Sequence, residues 1–183
     1  MSEEVIVKYC SPTLAGLKTG SLFTCSYTRR SEVNNFLKKL NLSLGCKGIR
    51  FVPLRFKNKK ALIYAYRPAS LSSDITNKEA ELLLTKRGYS TNNCGKCLAR
   101  LIKRLSEGDE FPHEIGLFLG YPVDDVKGFI ENKAACAKCV GCWKVYGDED
   151  RAQKLFHQYR KCTRIYEKLW SEGKTLQKLA VAK

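Results

Sequence analysis

No acidic residue occurs between Val33 and Ser73. Residues 1–73 hold thirteen Lys and Arg against three acids, and the 183-residue chain carries a formal charge of +15. A basic excess of this size points to phosphate-rich partners, or to a solvated basic face matched by acids elsewhere. Those acids are concentrated in residues 107–150, ten against four Lys or Arg, while residues 151–183 return to nine bases and two acids.

Long apolar runs are missing too. No stretch approaches the ~18 apolar residues of a membrane span. The start, Met1-Ser2-Glu3-Glu4, is acidic and has no apolar run behind it, so it does not read as a secretory signal. The expectation is a cytoplasmic protein without a membrane partner. In a reducing compartment the nine cysteines, an odd number, read as ligands, reactive thiols or small core residues rather than disulfides.

Histidine is scarce: His113 and His157 are the only two. A Cys–His nucleophile pair would need His113 beside a thiol, which nothing in the spacing demands. His113 fits a residue that caps or orients a turn, and His157 a position on the outside of a helix. The chain has no phosphate-cradling glycine-rich loop, no dinucleotide fingerprint and no serine-hydrolase elbow. No recognised catalytic motif is present, so enzymatic activity stays open and the sequence reads as a non-enzyme before it reads as an enzyme. No low-complexity linker divides it either. The expectation is one domain over 1–183, with a basic half at 1–73 and a cysteine-containing half at 74–183.

What is present alternates between helix and strand signals. Residues 2–9 read as a short helix interrupted by Ser11-Pro12-Thr13, and 21–27 as a strand. Ser31 is placed to cap a helix with Val33, Phe36, Leu37 and Leu40 on one face. Residues 49–56 and 61–66 read as a hairpin around Lys57-Asn58-Lys59-Lys60, with Pro53 marking an edge position or a bulge. Thr76 and Glu79 suggest a capping box for a helix over 77–87 that Gly88 ends. A helix over 94–106 aligns Cys97, Leu98, Leu101, Ile102 and Leu105.

Residues 114–120 (EIGLFLG) read as a buried strand, followed by a helix carrying Val126, Phe129 and Ile130. Residues 142–146 read as a short strand. A long helix over 149–171, ended by Gly173, has a regular apolar face from Ala152 to Trp170. A faint echo links 22–37 with 117–130, each reading strand, aromatic turn, helix. Together these predict an α+β fold: a mixed sheet of about five strands covered by helices, with a long C-terminal helix.

Thiol chemistry centres on Cys136-Ala-Lys-Cys139-Val-Gly-Cys142. Three thiols two residues apart can converge on one metal ion. Zinc requires a fourth ligand; Cys162, on the long helix just after the 142–146 strand, fits either that role or a core position, and Cys10 is a further candidate. The bacterial ferredoxin run needs another Cys and a Pro shortly after the third; here Trp143-Lys144-Val145-Tyr146 follows, so a cluster would need a distant fourth ligand. In the pair Cys94/Cys97, 38 residues separate Cys97 from Cys136, more than the ~15–20 of a zinc ribbon. It reads as an ordinary core-and-surface pair before it reads as a redox pair.

Basic and aromatic residues interleave through Arg50-Phe51, Arg55-Phe56 and Tyr64-Ala65-Tyr66-Arg67. On a sheet they could stack bases and hold phosphates. Simple alternation, with one face buried and cations in solvent, explains the same pattern. The candidate polyanion-binding residues are Arg50, Arg55, Lys57, Lys59, Lys60 and Arg67.

Several longer motifs carry a resemblance. They are Cys10-Ser11-Pro12-Thr13-Leu14-Ala15-Gly16-Leu17-Lys18-Thr19; Pro112 to Pro122 (PHEIGLFLGYP) with Asp125-Val126 and Gly128-Phe129-Ile130; and Gly141-Cys142-Trp143-Lys144-Val145-Tyr146-Gly147 with Lys161-Cys162-Thr163. Over nearly its whole length the chain resembles the bacterial domain-of-unknown-function family numbered 3793. The resemblance implies a free-standing bacterial protein and no particular activity. It also implies Cys10, Cys139, Cys142 and Cys162 as the family's thiols, without Cys94 or Cys97, and an iron-related setting. The leading expectation is thus a protein that binds zinc or an iron–sulfur cluster through thiolates for structure, sensing or carriage. A nucleic-acid-binding (RNA-binding) protein using the basic half is the alternative, and a thiol redox enzyme the third.

Overall fold

Lys57 and Lys60 face each other across a two-residue turn, Asn58-Lys59, in which both residues take left-handed backbone angles (φ 50° and 55°). Such a turn matches the twist of the strands it joins. It closes the predicted hairpin: β2 is Arg50–Lys57 and β3 is Lys60–Tyr66. The computed structural model describes residues 2–107 and 110–182. Strand β1 (Gly20–Ser26) pairs with the other side of β3, so the order is β1-β3-β2, all antiparallel. Pro53 lies on the edge strand β2, and the register slips between Pro53 and Arg55. Both expectations for that proline hold, because an edge bulge needs no ladder N–H.

Backbone contacts divide the described residues into two compact units. The first runs to Ala69 and resumes at Lys161; the second is Ser70–Arg160. In the first unit, helix α1 (Glu3–Leu14) packs on β1 and helix α2 (Arg30–Leu44) on β2. Val33, Leu37, Leu40 and Leu44 form the buried stripe of α2, as the 3.6-residue period requires. Its N-terminal flank is Arg29 rather than Ser31. Helix α1 passes through Pro12 instead of stopping before it. The Ser11 hydroxyl donates to the Val7 carbonyl, and Cys10, Thr13 and Leu14 are buried, so packing carries the helix across the missing N–H.

The second unit is mostly helical. Helix α4 (Lys78–Thr85) is the one expected over 77–87, and an additional helix, α3 (Pro68–Ile75), precedes it. Asn77, not Thr76, caps α4: its side chain accepts from Glu79 N, while the Thr76 hydroxyl turns back to Ser72 O. Gly88 (φ 76°) ends the segment as expected, with Tyr89 N donating to Leu84 O. Helix α5 spans Cys94–Glu107 with Cys97, Leu98, Leu101 and Leu105 buried.

Segment 114–120 is not a strand. It forms the four-residue helix α6 (Ile115–Phe118), buried on all sides. A short apolar run has no period to separate the two states; here Pro112 and Gly120 bracket a single turn. The echo between 22–37 and 117–130 disappears with that strand. Helix α7 (Val123–Glu131) follows, then a two-stranded sheet of β4 (Cys139–Val140) and β5 (Lys144–Val145). The five strands therefore belong to two antiparallel sheets, and the fold class is α+β. Helix α8 (Glu149–Ser171) has the predicted bounds and contributes to both units. Helix α9 (Leu176–Leu179) packs on α1, and Leu176 and Leu179 complete the first unit's core. No helix among the described residues is long and apolar enough to cross a membrane.

Candidate functional site

Asp125 organises the cysteine-bearing part of the second unit. It lies in the first turn of α7 and is 2% exposed. Its Oδ2 accepts from Trp143 Nε1 at 2.6 Å; its Oδ1 accepts from the backbone N–H of Tyr146 at 2.7 Å and of Gly147 at 2.8 Å. One carboxylate thus fixes the strand β5 and the turn into α8. Around Trp143 the rings of Tyr121 (stacked, 4.7 Å) and Phe156 (edge-on, 4.5 Å) close a small core. Gly141 lies so near Phe156 that a Cβ there would fall 2.2 Å from the ring.

A cavity of about 290 Å³ opens beside this core, lined chiefly by His113, Tyr121, Asp125, Phe129, Cys142 and Trp143. His113 is exposed and packs its ring on Phe129 at 4.8 Å between centroids; its carbonyl accepts from Gly116 N. Only its backbone thus holds the turn into α6, while the ring stays on Phe129, and no strand begins there. His157 is exposed on α8.

The three clustered thiols lie on the approach to the small sheet and on its tip. Lys133, Ala134 and Cys136 take left-handed angles (φ 47°, 65° and 57°). Cys136 and Cys142 are exposed and Cys139 is half-buried. Gln153 Nε2 donates to Cys139 Sγ at 3.4 Å. Desolvation, then the Glu149 carboxylate, hold the Cys139 thiol above its usual pKa.

Cys10 and Cys162 belong to the first unit, and both are buried. Burial raises both thiols, Cys162 to about 11. Among the described residues, no three Cys, His, Asp or Glu side chains gather where they could hold a metal ion. Of the second cysteine pair, Cys94 is half-buried and Cys97 buried; burial raises both, Cys97 to about 12.

The basic candidates separate. Lys57, Lys59 and Lys60 are exposed at the tip of the β2–β3 hairpin. Lys60 is in register with Ser26 at the end of β1, and Tyr27 N donates to Lys59 O at 3.0 Å. That pairing brings Arg29 and Arg30 to the same end of the sheet. Arg30 sits over the Phe56 ring at 5.2 Å, and Tyr27 meets Phe56 edge-on at 5.3 Å. Arg29 is paired with Glu32 at 2.9 Å.

Arg55 is half-buried two residues back along β2. Arg50 stands at the far end of that strand, roughly 23 Å away at ~3.3 Å per residue, and donates to Asn41 O. Arg67 leaves the set altogether. It is 2% exposed, and its guanidinium donates to the carbonyls of Thr13, Leu14, Lys47 and Val181. A charge buried that deeply must satisfy its donors internally, so it serves the first unit's architecture rather than its surface.

Two features escaped the sequence. Arg29-Arg30 directly follows a strand that pairs beside the hairpin, and the doubled cation was the signal. The aromatic cavity had a weaker one: Asp125 and Phe129 are four residues apart on α7 and so share a face. No curated protein and no solved structure matches this chain. The family described as "Protein of unknown function (DUF3793)" matches residues 6–180. With nearly the whole chain covered, from α1 to α9, the protein belongs to that family.

Proposed function

We propose that the first unit binds the phosphate backbone of nucleic acid through the cationic end of its three-stranded sheet. The observation that carries this reading is the grouping of Arg30, Lys57, Lys59 and Lys60 at one sheet end, next to the partly exposed rings of Tyr27 and Phe56. Cations hold phosphates, and neighbouring ring faces accept stacked bases of a single strand. Four such contacts imply a slope of about −3 in log affinity against log salt on a single strand. The test is an RNA oligonucleotide titration over a salt series, with heparin in parallel. The triple variant Lys57→Glu, Lys59→Glu, Lys60→Glu is expected to lose binding without unfolding. RNA binding unchanged in that variant, or none at low salt, removes the reading; equal affinity for heparin reduces it to charge alone.

A second reading is thiolate binding of zinc or an iron–sulfur cluster by Cys136, Cys139 and Cys142. It is supported by their two-residue spacing and by the exposure of Cys136 and Cys142. Metal binding would draw the three thiols together and couple to the conformation of the 133–142 loop. Elemental analysis of protein prepared without oxygen tests it. Stoichiometric metal should be lost from Cys139→Ser and Cys142→Ser and kept in Cys94→Ser. Protein that never holds metal under iron- or zinc-replete conditions ends this reading.

A further inference from the structure

The cavity of the second unit combines aromatic walls with a buried negative charge. Tyr121, Phe129, Trp143 and His113 supply the rings. Asp125 lines the same space, and its three hydrogen-bond donors are an indole and two backbone amides, all neutral. Among the described residues it has no ion-pair partner. Lys144 also lines the cavity, but its Nζ donates to Ala134 O, and Lys138 Nζ donates to Gly147 O, each at 2.7 Å, so neither ammonium pairs with Asp125. Local charge has the same sign, with ten acids against four bases over residues 107–150.

A buried carboxylate held only by neutral dipoles still attracts a cation. The faces of the surrounding rings are themselves electron-rich. Three of the lone-pair positions on Asp125 are already taken, which leaves little for an ammonium that must donate several hydrogen bonds. A cation with no N–H donors suits such a site better, because it interacts through charge and ring faces alone.

We propose that this cavity binds a small quaternary or fully methylated ammonium group, with the rings of Tyr121, Phe129 and Trp143 against its methyls and Asp125 supplying the opposing charge. The cavity's volume of about 290 Å³ admits a trimethylammonium head with a short substituent. This site is separate from the cationic sheet end of the first unit, so the two proposals stand or fall independently.

Trp143 reports the test directly. In the full chain carrying Trp170→Phe it is the sole tryptophan. Its emission is titrated with choline, with benzyltrimethylammonium and with 3,3-dimethylbutanol, the uncharged carbon analogue of choline. A saturable change is expected, with choline favoured over its neutral analogue by about tenfold, equivalent to ~1.4 kcal/mol. Asp125→Asn should erase that preference. Because this variant also alters the hydrogen bonds to Trp143, Tyr146 and Gly147, Phe129→Leu is run beside it. Phe129→Leu keeps an apolar wall without the ring face and should weaken choline binding several-fold while dimethylbutanol is unaffected. Equal binding of choline and its neutral analogue overturns the proposal, as does no saturable response to either cation.

Discussion

Trp143 Nε1 donates to Asp125 Oδ2 at 2.6 Å, joining the small sheet to the first turn of α7. The same carboxylate takes the amides of Tyr146 and Gly147. Asp125→Ala leaves three donors without an acceptor, two of them on the backbone where no rotamer can relieve them. The expected cost is about 3–5 kcal/mol, since each unsatisfied group carries ~1–3 kcal/mol. Trp143→Phe removes a single donor and should cost less, about 2 kcal/mol. Urea unfolding of both variants checks the order; a larger loss for Trp143→Phe would give ring packing, not the carboxylate, the leading role.

Glu114 is the second buried acid of that unit. It accepts from Tyr89 Oη at 2.8 Å and pairs with Arg104 at 3.0 Å and Arg87 at 3.6 Å. Burial, then the hydrogen bond to Glu114, push the Tyr89 hydroxyl far above its usual pKa. Glu114→Leu removes the acceptor of the Tyr89 hydroxyl and the partner of two partly exposed guanidinium groups, and should destabilise by about 2–3 kcal/mol. Glu114→Gln keeps acceptor geometry without the charge and should cost about half as much. Thermal melts of the pair, read at one pH, compare charge loss with acceptor loss.

Arg67→Lys is expected to behave as a disruptive change despite keeping the charge. A lysine is a point donor, whereas the guanidinium fork spans four carbonyls drawn from three segments of the first unit. A loss of about 3–4.5 kcal/mol follows from two or three charged hydrogen bonds broken at ~1.5 kcal/mol each. A denaturant midpoint within error of the parent would show that the carbonyls find other donors.

Alkaline pH should weaken the fold through its buried thiols. Cys162 is raised from 9.0 to about 11 and Cys97 to about 12, both chiefly by burial. Above about pH 9 the unfolded chain releases these protons while the folded chain keeps them. Proton uptake is then greater in the folded state, so stability declines with rising pH, by at most ~1.4 kcal/mol per unit for each thiol. For Cys162 the decline runs from about pH 9 until its own ionisation near 11. Tyr121 and Tyr159, raised to about 12, add a later decline that begins at the ordinary tyrosine pKa of ~10. Urea midpoints across this range in the parent and in Cys162→Ala should show a shallower slope for the variant below pH 10.

Regular patterns were legible and irregular ones were not. The apolar stripe of α8 repeats over six turns, and its bounds follow from that repetition. The hairpin declared itself through a polar turn between two alternating runs. The α6 run offered one turn and no period, so its apolar character fitted strand as readily as helix. At the candidate sites, the cations of the hairpin tip were visible because they fall within four residues, Lys57 to Lys60. The burial of Arg67 was not, since it depends on Val181, which is 114 residues away. Nor was the aromatic cavity, whose walls come from the α6–α7 turn, from α7 and from the β4–β5 tip.

The first unit is interrupted: its sheet is complete by Tyr66, yet its core also needs Leu176 and Leu179, and Val181 N donates to Leu14 O at 3.0 Å. Synthesis from the ribosome delivers these parts in a fixed order. All of the second unit up to Arg160 emerges before the segment that closes the first. The second unit can collapse on contiguous chain alone, while the sheet with its basic tip waits with an open core. The earliest-made strands are thus among the last to be sealed, and during that interval their apolar face is the part of the nascent chain most exposed to misassociation.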